Sequence, residues 1–101
     1  MMIGMSNKEY KPTLAQLRTF ATIAENKHFG TAAAKLGISQ PSLSQALVAL
    51  EGGLGIQLIE RSTRKVIVTA AGEELLPFAK TTLEAADAFV ARAQGAHGVL
   101  N

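Results

Sequence analysis

A mainly α-helical domain carrying one small β-hairpin is the fold class this sequence predicts, and three observations lead there. Its 101 residues are 48% hydrophobic and 18% charged, the balance of a folded chain with a single modest core. Aromatic residues make up only 5% while alanine is abundant, which suits closely packed helices better than a sandwich or barrel of aromatic-rich strands. Apolar positions recur three and four residues apart through most of the chain, and this pattern gives way to short strand-like runs only between Gln57 and Thr69.

Pro12 followed by Thr13 and Gln16 forms a T-x-x-Q capping box, so a first helix begins there. Leu14, Leu17, Ala21 and Ala24, joined by Phe20 and Ile23, make its core stripe, leaving Arg18, Thr22 and Glu25 outside until the helix ends near Asn26 to His28. Thr31 to Leu36 form a short alanine-rich second helix closed by Gly37, after which Ile38 re-enters the core. Ser39 caps a third helix from about Pro41 to about Gly52, with the proline in the first turn, where its missing N–H costs nothing. At about 100° per residue, Leu43, Ala46, Leu47, Leu50 and Leu54 share one arc, and Pro41, Ser44, Gln45 and Val48 lie opposite.

Gly52, Gly53 and Gly55 are expected to end that helix. Gln57 to Arg61 and Lys65 to Thr69 then read as two short strands around Ser62, Thr63 and Arg64, a hairpin with a basic tip. From about Ala71 the chain is helical again, with a heptad seam of Leu76, Ala79, Leu83, Ala86, Val90 and Ala93 that stops at Gly95 and Gly98. Pro77 removes one backbone hydrogen bond early in this last helix and favours a bend there.

No apolar run reaches the roughly 18 residues of a membrane helix, and the N-terminal stretch has no apolar signal-peptide core. The expected location is therefore the cytoplasm, without a membrane partner. The absence of cysteine excludes disulfides, thiolate metal sites and thiol catalysis within the chain. His28 reads as a packed or capping residue and Phe29 as core, while His97 stands in a glycine-rich tail without an acid or base partner, so no metal, cofactor or catalytic residue is expected. The net charge of +2 divides unevenly: residues 1–72 hold eight Lys and Arg against four Glu, and residues 73–101 hold two basic against four acidic groups. The basic part can face DNA while the acidic part faces away.

Residues 31 to 50, TAAAKLGISQPSLSQALVAL, couple a short helix, a glycine turn and a longer helix. Ala33 is small where the two helices cross, and Ile38, Leu43 and Leu47 hold the second at a fixed angle. Its free face offers hydroxyls and an amide able to bond base edges or phosphates. The same pattern also occurs in ordinary helical domains, so its meaning depends on the hairpin and the long helix that follow.

Several linked motifs carry a resemblance. They are L-x-x-F at 17 to 20, H-F-G-T-A-A-A-K-L-G-I-S-Q-P-S-L-S at 28 to 44, L-E-x-x-L-G at 50 to 55, L-I-E-R-S at 58 to 62 and V-T-A-A-G at 68 to 72. Together they resemble the LysR-type transcriptional regulators and cover nearly everything after Lys11. The resemblance implies a winged helix-turn-helix, three helices plus a two-stranded wing, followed by a long linker and dimerisation helix. It divides the chain into a flexible extension at 1–12, a DNA-binding domain at 13–69, a linker helix at 70–95 and, at 96–101, the start of a connection to an absent effector domain.

By the same resemblance, Gln40, Pro41, Ser44 and Gln45, with Ser42 beside them, occupy the recognition positions in the major groove. Thr31 and Ser39 match positions that contact the DNA backbone, and Arg61, Arg64 and Lys65 match the wing. The implied partners are double-stranded DNA, bound at an interrupted inverted repeat, and a second copy joined through the linker seam, with a tetramer in the full-length protein. Two departures stand out: Ile59 where phenylalanine is more frequent, and Ala70 where proline is frequent, which implies a less rigid bend before the linker helix. The stretches N-K-E-Y-K-P-T-L-A-Q-L and L-I-E-R-S-T-R-K-V-I-V-T look most like the hydrogen-peroxide-sensing OxyR branch of actinobacteria.

Plainer readings stand beside these. Arg18, Lys27 and Lys35 read at least as well as solvated surface charges as they do as phosphate contacts, Arg61 can pair with Glu60 or Glu51, and the linker stripe can dock on its own domain. The rival for the whole chain is a winged-helix module that binds protein and no nucleic acid.

Overall fold

A computed structural model of the chain describes residues 9–62 and 65–100, with side chains up to residue 95. The elements run α1 (Leu14–Asn26), α2 (Phe29–Leu36), α3 (Gln40–Leu54), β1 (Ile59–Arg61), β2 (Val66–Val68) and α4 (Ala70–Leu100). Both halves of the Thr13 capping box form: Gln16 N–H donates to Thr13 Oγ1 at 3.0 Å, and Thr13 N–H donates to Gln16 Oε1 at 3.0 Å. The Tyr10 hydroxyl donates to the same Oε1 at 2.9 Å, and its ring packs on the core over Gly53, where a Cβ would collide with it. Residues 1–8 of the expected flexible extension lie outside the described residues, but Tyr10, near the end of that extension, is held in place.

α1 ends at Asn26, within the expected range, whereas the start of α2 and the end of α3 depart from the expected ones. α1 closes on Lys27, whose left-handed φ of 55° lets its N–H reach Ile23 O at 2.7 Å. α2 starts two residues early because His28 caps it, Nδ1 accepting from Thr31 N–H at 3.0 Å. Ser39 caps α3 as expected, accepting from Ser42 N–H at 3.2 Å. α3 does not stop at Gly52 and Gly53; it runs to Leu54, and Gly55 with φ 71° closes it by donating to Glu51 O at 2.8 Å. Each of the two glycines inside the helix costs only about 1 kcal/mol, and beyond them Leu54 packs on the core.

The core gathers Phe20 and Ile23 from α1, Leu43, Leu47 and Leu50 from α3, and Leu58 and Ile59 beside the hairpin, all essentially inaccessible. Ala32 and Ala33 let α2 cross close by. Two expected core residues are not there: Leu14, at 48% exposure, precedes the packed turns of α1, and Ile38, at 40%, sits in the turn whose N–H closes α2 on Ala33 O. Phe29 is half-buried against the core.

The strands are three residues each and antiparallel, pairing Ile59 with Val68, Glu60 with Ile67 and Arg61 with Val66. They are shorter than expected, and further hydrogen bonds brace them at the end next to Leu58 and Thr69. Leu58 and Ile59 N–H donate to Glu51 Oε2 at 2.8 and 3.1 Å, and the Thr69 hydroxyl donates to Gln57 O at 2.7 Å. Thr69 also caps α4, its Oγ1 accepting from Gly72 N–H at 2.9 Å, so the helix starts at Ala70. Gly72 is buried, and a Cβ there would run into the Leu58 carbonyl and lie 2.7 Å from Val68 Cγ1.

α4 continues through Pro77 and, contrary to expectation, through Gly95 and Gly98 as far as Leu100. Among the described glycines only Gly37 and Gly55 have the positive φ that stops a helix. α4 packs antiparallel along α1, pinned by Arg18 to Asp87 at 3.2 Å and Lys80 to Glu25 at 2.7 Å. The hydrogen bond that Lys80 donates to Glu25, together with the charge of that carboxylate, raises the Lys80 ammonium above its ordinary pKa of 10.5.

This docking corrects the seam. Ala79 and Leu83, 5% and 6% exposed, are buried in the chain's own body and Leu76 is half-buried against it, so these three face α1 and the core. Ala86 is half-buried, and Val90 and Ala93 are exposed. The apolar residues that α4 leaves open are instead Phe78 at 68%, Phe89 at 67% and Val90 at 53%.

Candidate nucleic-acid interface

α3 lies on the core through Leu43, Leu47 and Leu50, which turns Gln40, Pro41, Ser42 and Gln45 outward and leaves Ser44 half-buried at the edge of the same face. Beside it opens a cleft of about 340 Å³ bounded by three structures: Lys27, His28 and Phe29 at the α1–α2 junction, Gln40 and Ser44 on α3, and Arg61, Ser62, Lys65 and Val66 on the wing. The lining holds three cations and no carboxylate, so its local potential favours an anion far more than the net charge of the chain does.

The residues read from sequence as DNA contacts are only partly brought together. Gln40, Ser44, Arg61 and Lys65 share the cleft. Pro41, Ser42 and Gln45 stand exposed on α3 outside it, together with Val48 at 55% exposure. Ser39 and Ser42 bond to each other, Oγ to Oγ at 3.0 Å, so their hydroxyls serve the helix start before any ligand. Thr31 is exposed, its Oγ1 3.1 Å from His28 Nδ1. Arg64 lies outside the described residues.

Arg61 has a structural partner as well. Its guanidinium lies 3.6 Å from Glu51 Oε1 and 5.8 Å from the Phe29 ring centroid, so one of the two carboxylates weighed as its partner is present. Glu51, only 12% exposed in its side chain, holds the wing base with Oε2 and steadies Arg61 with Oε1. Lys65 is exposed and enters no ion pair among the described residues. Lys27, which the sequence left open between a surface charge and a phosphate contact, and His28, read only as a packed or capping residue, both line the cleft. The available signal was their place immediately before the helix pair, which is a weak one.

Comparison with known proteins decides the family. The family model described as bacterial regulatory helix-turn-helix protein, lysR family, matches residues 14–73. The chain belongs to the LysR family. That match takes in α1 to α3, the wing and the first turn of α4. A LysR-family relative, the probable hydrogen peroxide-inducible genes activator of Mycobacterium xenopi, is 60% identical over 92 residues, covering 91% of this chain and 49% of that protein. The structure of oxidized Corynebacterium glutamicum OxyR is 80% identical, covers 94% of this chain and 29% of that one, and superposes with a TM-score of 0.90. A BenM DBD–catB site 1 DNA complex is 38% identical, covers 84% of this chain and 96% of that one, with a TM-score of 0.79. The chain thus spans about half the length of the M. xenopi relative and under a third of the C. glutamicum protein. Its fold is the winged helix-turn-helix of LysR regulators, and its relatives are named as regulators of transcription. No helix among the described residues is long and apolar enough to cross a membrane.

Proposed function

We propose that this chain is the sequence-specific DNA-binding domain of a LysR-family regulator that responds to hydrogen peroxide. It reads DNA in the major groove through Gln40, Pro41, Ser44 and Gln45, with the wing residues Arg61, Arg64 and Lys65 on the flanking backbone. The observation that carries this reading is the polar outer face of α3 beside a cationic cleft free of carboxylates. The naming of the M. xenopi relative supports the peroxide response, and the BenM complex supports duplex DNA as ligand. A module that binds only protein would present an apolar anchor on α3, whereas among the described residues Val48 is the only large hydrophobic side chain exposed on α3 itself.

Dimer binding to an interrupted inverted repeat belongs to the same reading, since two copies double the contacts one recognition helix makes. The surface that supports it is the open side of α4 at Phe78, Phe89, Val90 and Ala93. A tetramer for the longer protein, a cytoplasmic location and the absence of catalysis and cofactors complete the proposal.

Gln45→Ala tests the recognition face. Against a panel of mismatched duplexes it should relax preference at one position per half-site by about 1–3 kcal/mol, while Arg64→Ala weakens all sequences alike. If Gln45→Ala leaves every mismatch penalty unchanged, α3 does not read bases through this face.

A further inference from the structure

We propose that Lys27 and His28 bind a DNA backbone phosphate, forming a second jaw that works with the wing across the start of α3. The inference rests on the DNA-binding reading above and adds contacts that the sequence motifs did not assign.

The backbone is the first observation. Lys27 is the only non-glycine with positive φ among the described residues, at 55°, while Gly37 and Gly55 close the other two short helices. The left-handed conformation is costly for a residue with a Cβ and free for glycine, and asparagine tolerates it well. A lysine here therefore opposes local stability. The fold offsets this only through the α1 dipole, which favours a cation at its C-terminal end; the side chain is exposed and joins no ion pair among the described residues. A strained residue whose side chain serves no packing role points to a role in binding.

The second observation is the direction of His28. Its Nδ1 accepts the Thr31 N–H at 3.0 Å, which puts the ring proton on Nε2 and fixes the ring by the cap. Gly30 leaves room for this arrangement: a Cβ there would lie 3.0 Å from His28 Cε1 and 3.2 Å from Gln40 Nε2. The imidazole and the Gln40 amide are thus gathered at one place, and both line the cleft that Lys27 and Lys65 flank. Glu51 already partly neutralises Arg61, which leaves Lys27 on one element and Lys65 on another as the uncompensated cations. A phosphate oxygen in this cleft meets a point charge from Lys27 and a fixed N–H donor from His28.

The test uses this chain and a fluorescein-labelled duplex of random sequence, titrated between about 50 and 200 mM salt, a range over which one phosphate contact changes affinity about 3-fold. Lys27→Asn should flatten the salt response by about that factor while leaving the melting temperature equal or higher, because asparagine relieves the strain. Lys27→Arg should restore the salt response. His28→Asn, which keeps a capping oxygen but loses the ring N–H donor, should weaken binding about 2- to 5-fold. A Lys27→Asn protein with unchanged affinity and slope overturns the proposal, and so does one that melts lower, which would make Lys27 structural. If the unsubstituted chain fails to bind the duplex at the lowest salt, the DNA-binding reading itself falls.

Discussion

Replacing Gly72 and Gly52 by alanine, one at a time, should move stability in opposite directions. Both lie inside helices, so each substitution gains about 0.5–1 kcal/mol from helix propensity and a less flexible unfolded chain. At Gly52 no atom lies within 4 Å of the new methyl, and that gain should survive. At Gly72 the methyl meets the Leu58 carbonyl and, at 2.7 Å, Val68 Cγ1. A backbone carbonyl cannot swing aside as a side-chain end can, and this one also accepts from Thr69 N–H at 3.0 Å. Overpacking costs about 1–3 kcal/mol, and disturbing that hydrogen bond costs about 1 more. The net is a loss of about 1–3 kcal/mol for Gly72→Ala. The two variants should differ by about 2–4 kcal/mol, or on the order of 10–20 °C in melting temperature for a domain of this size. Urea denaturation followed by circular dichroism measures both. Because the unfolded chains change alike, a Gly72→Ala protein as stable as Gly52→Ala would show that the wing and α4 do not meet as described.

Glu51→Ala should cost about 2–4 kcal/mol by leaving the Leu58 and Ile59 N–H groups and Arg61 without their acceptor; Glu51→Gln, which keeps one oxygen, should lose about half as much in the same denaturation assay. Phe89→Glu removes an exposed ring, so it should leave the melting temperature unchanged while shifting sedimentation toward monomer and weakening binding to a two-half-site duplex; an unaltered dimer would move the interface elsewhere. The Lys80 pair with Glu25 carries a cation of raised pKa, so its contribution is complete below the unfolded value of about 10.4 and fades as pH rises through the folded one. The melting difference between the chain and Lys80→Met should therefore be flat from about pH 7 to 9 and shrink only above the unfolded value of about 10.4, and a difference that already fades near pH 8 would contradict the pairing.

What the sequence made legible is what depends on near neighbours. The Thr13 box and the Ser39 cap could be read because a side-chain oxygen reaches an N–H only three residues ahead. His28 does the same work; the sequence left it open between packing and capping and did not fix the helix start by it. Gly52 and Gly53 suggested a stop that α3 ignores, since glycine ends a helix by its φ and not by its presence. Periodicity along α4 identified a buried stripe without saying what buries it: Ala79 and Leu83 are covered by their own domain, and only three-dimensional docking on α1 distinguishes that from a second copy. Likewise, the Arg61 pairing with Glu51 joins the wing to α3, ten residues apart in sequence, and was one of two partners the sequence left open. The recognition positions on α3 were the most readable part, because the core arc fixes which side chains are left outside.

Docked on α1 at one end and free at the other, α4 is a lever with its fulcrum in the core. Leu83 is its last buried residue, and from there to Leu100 the helix extends about 25 Å at 1.5 Å per residue. A tilt of about 10° at the fulcrum carries the tip sideways by about 4 Å, more than the roughly 3.4 Å that separates successive bases along a strand. Two such domains joined along their long helices would therefore translate a small change of crossing angle into a different span between recognition helices. In such a pair the span would be set at Arg18, Glu25, Lys80 and Asp87, whose ion pairs fix α4 on α1 and which, on a contact map of the DNA, would look like bystanders.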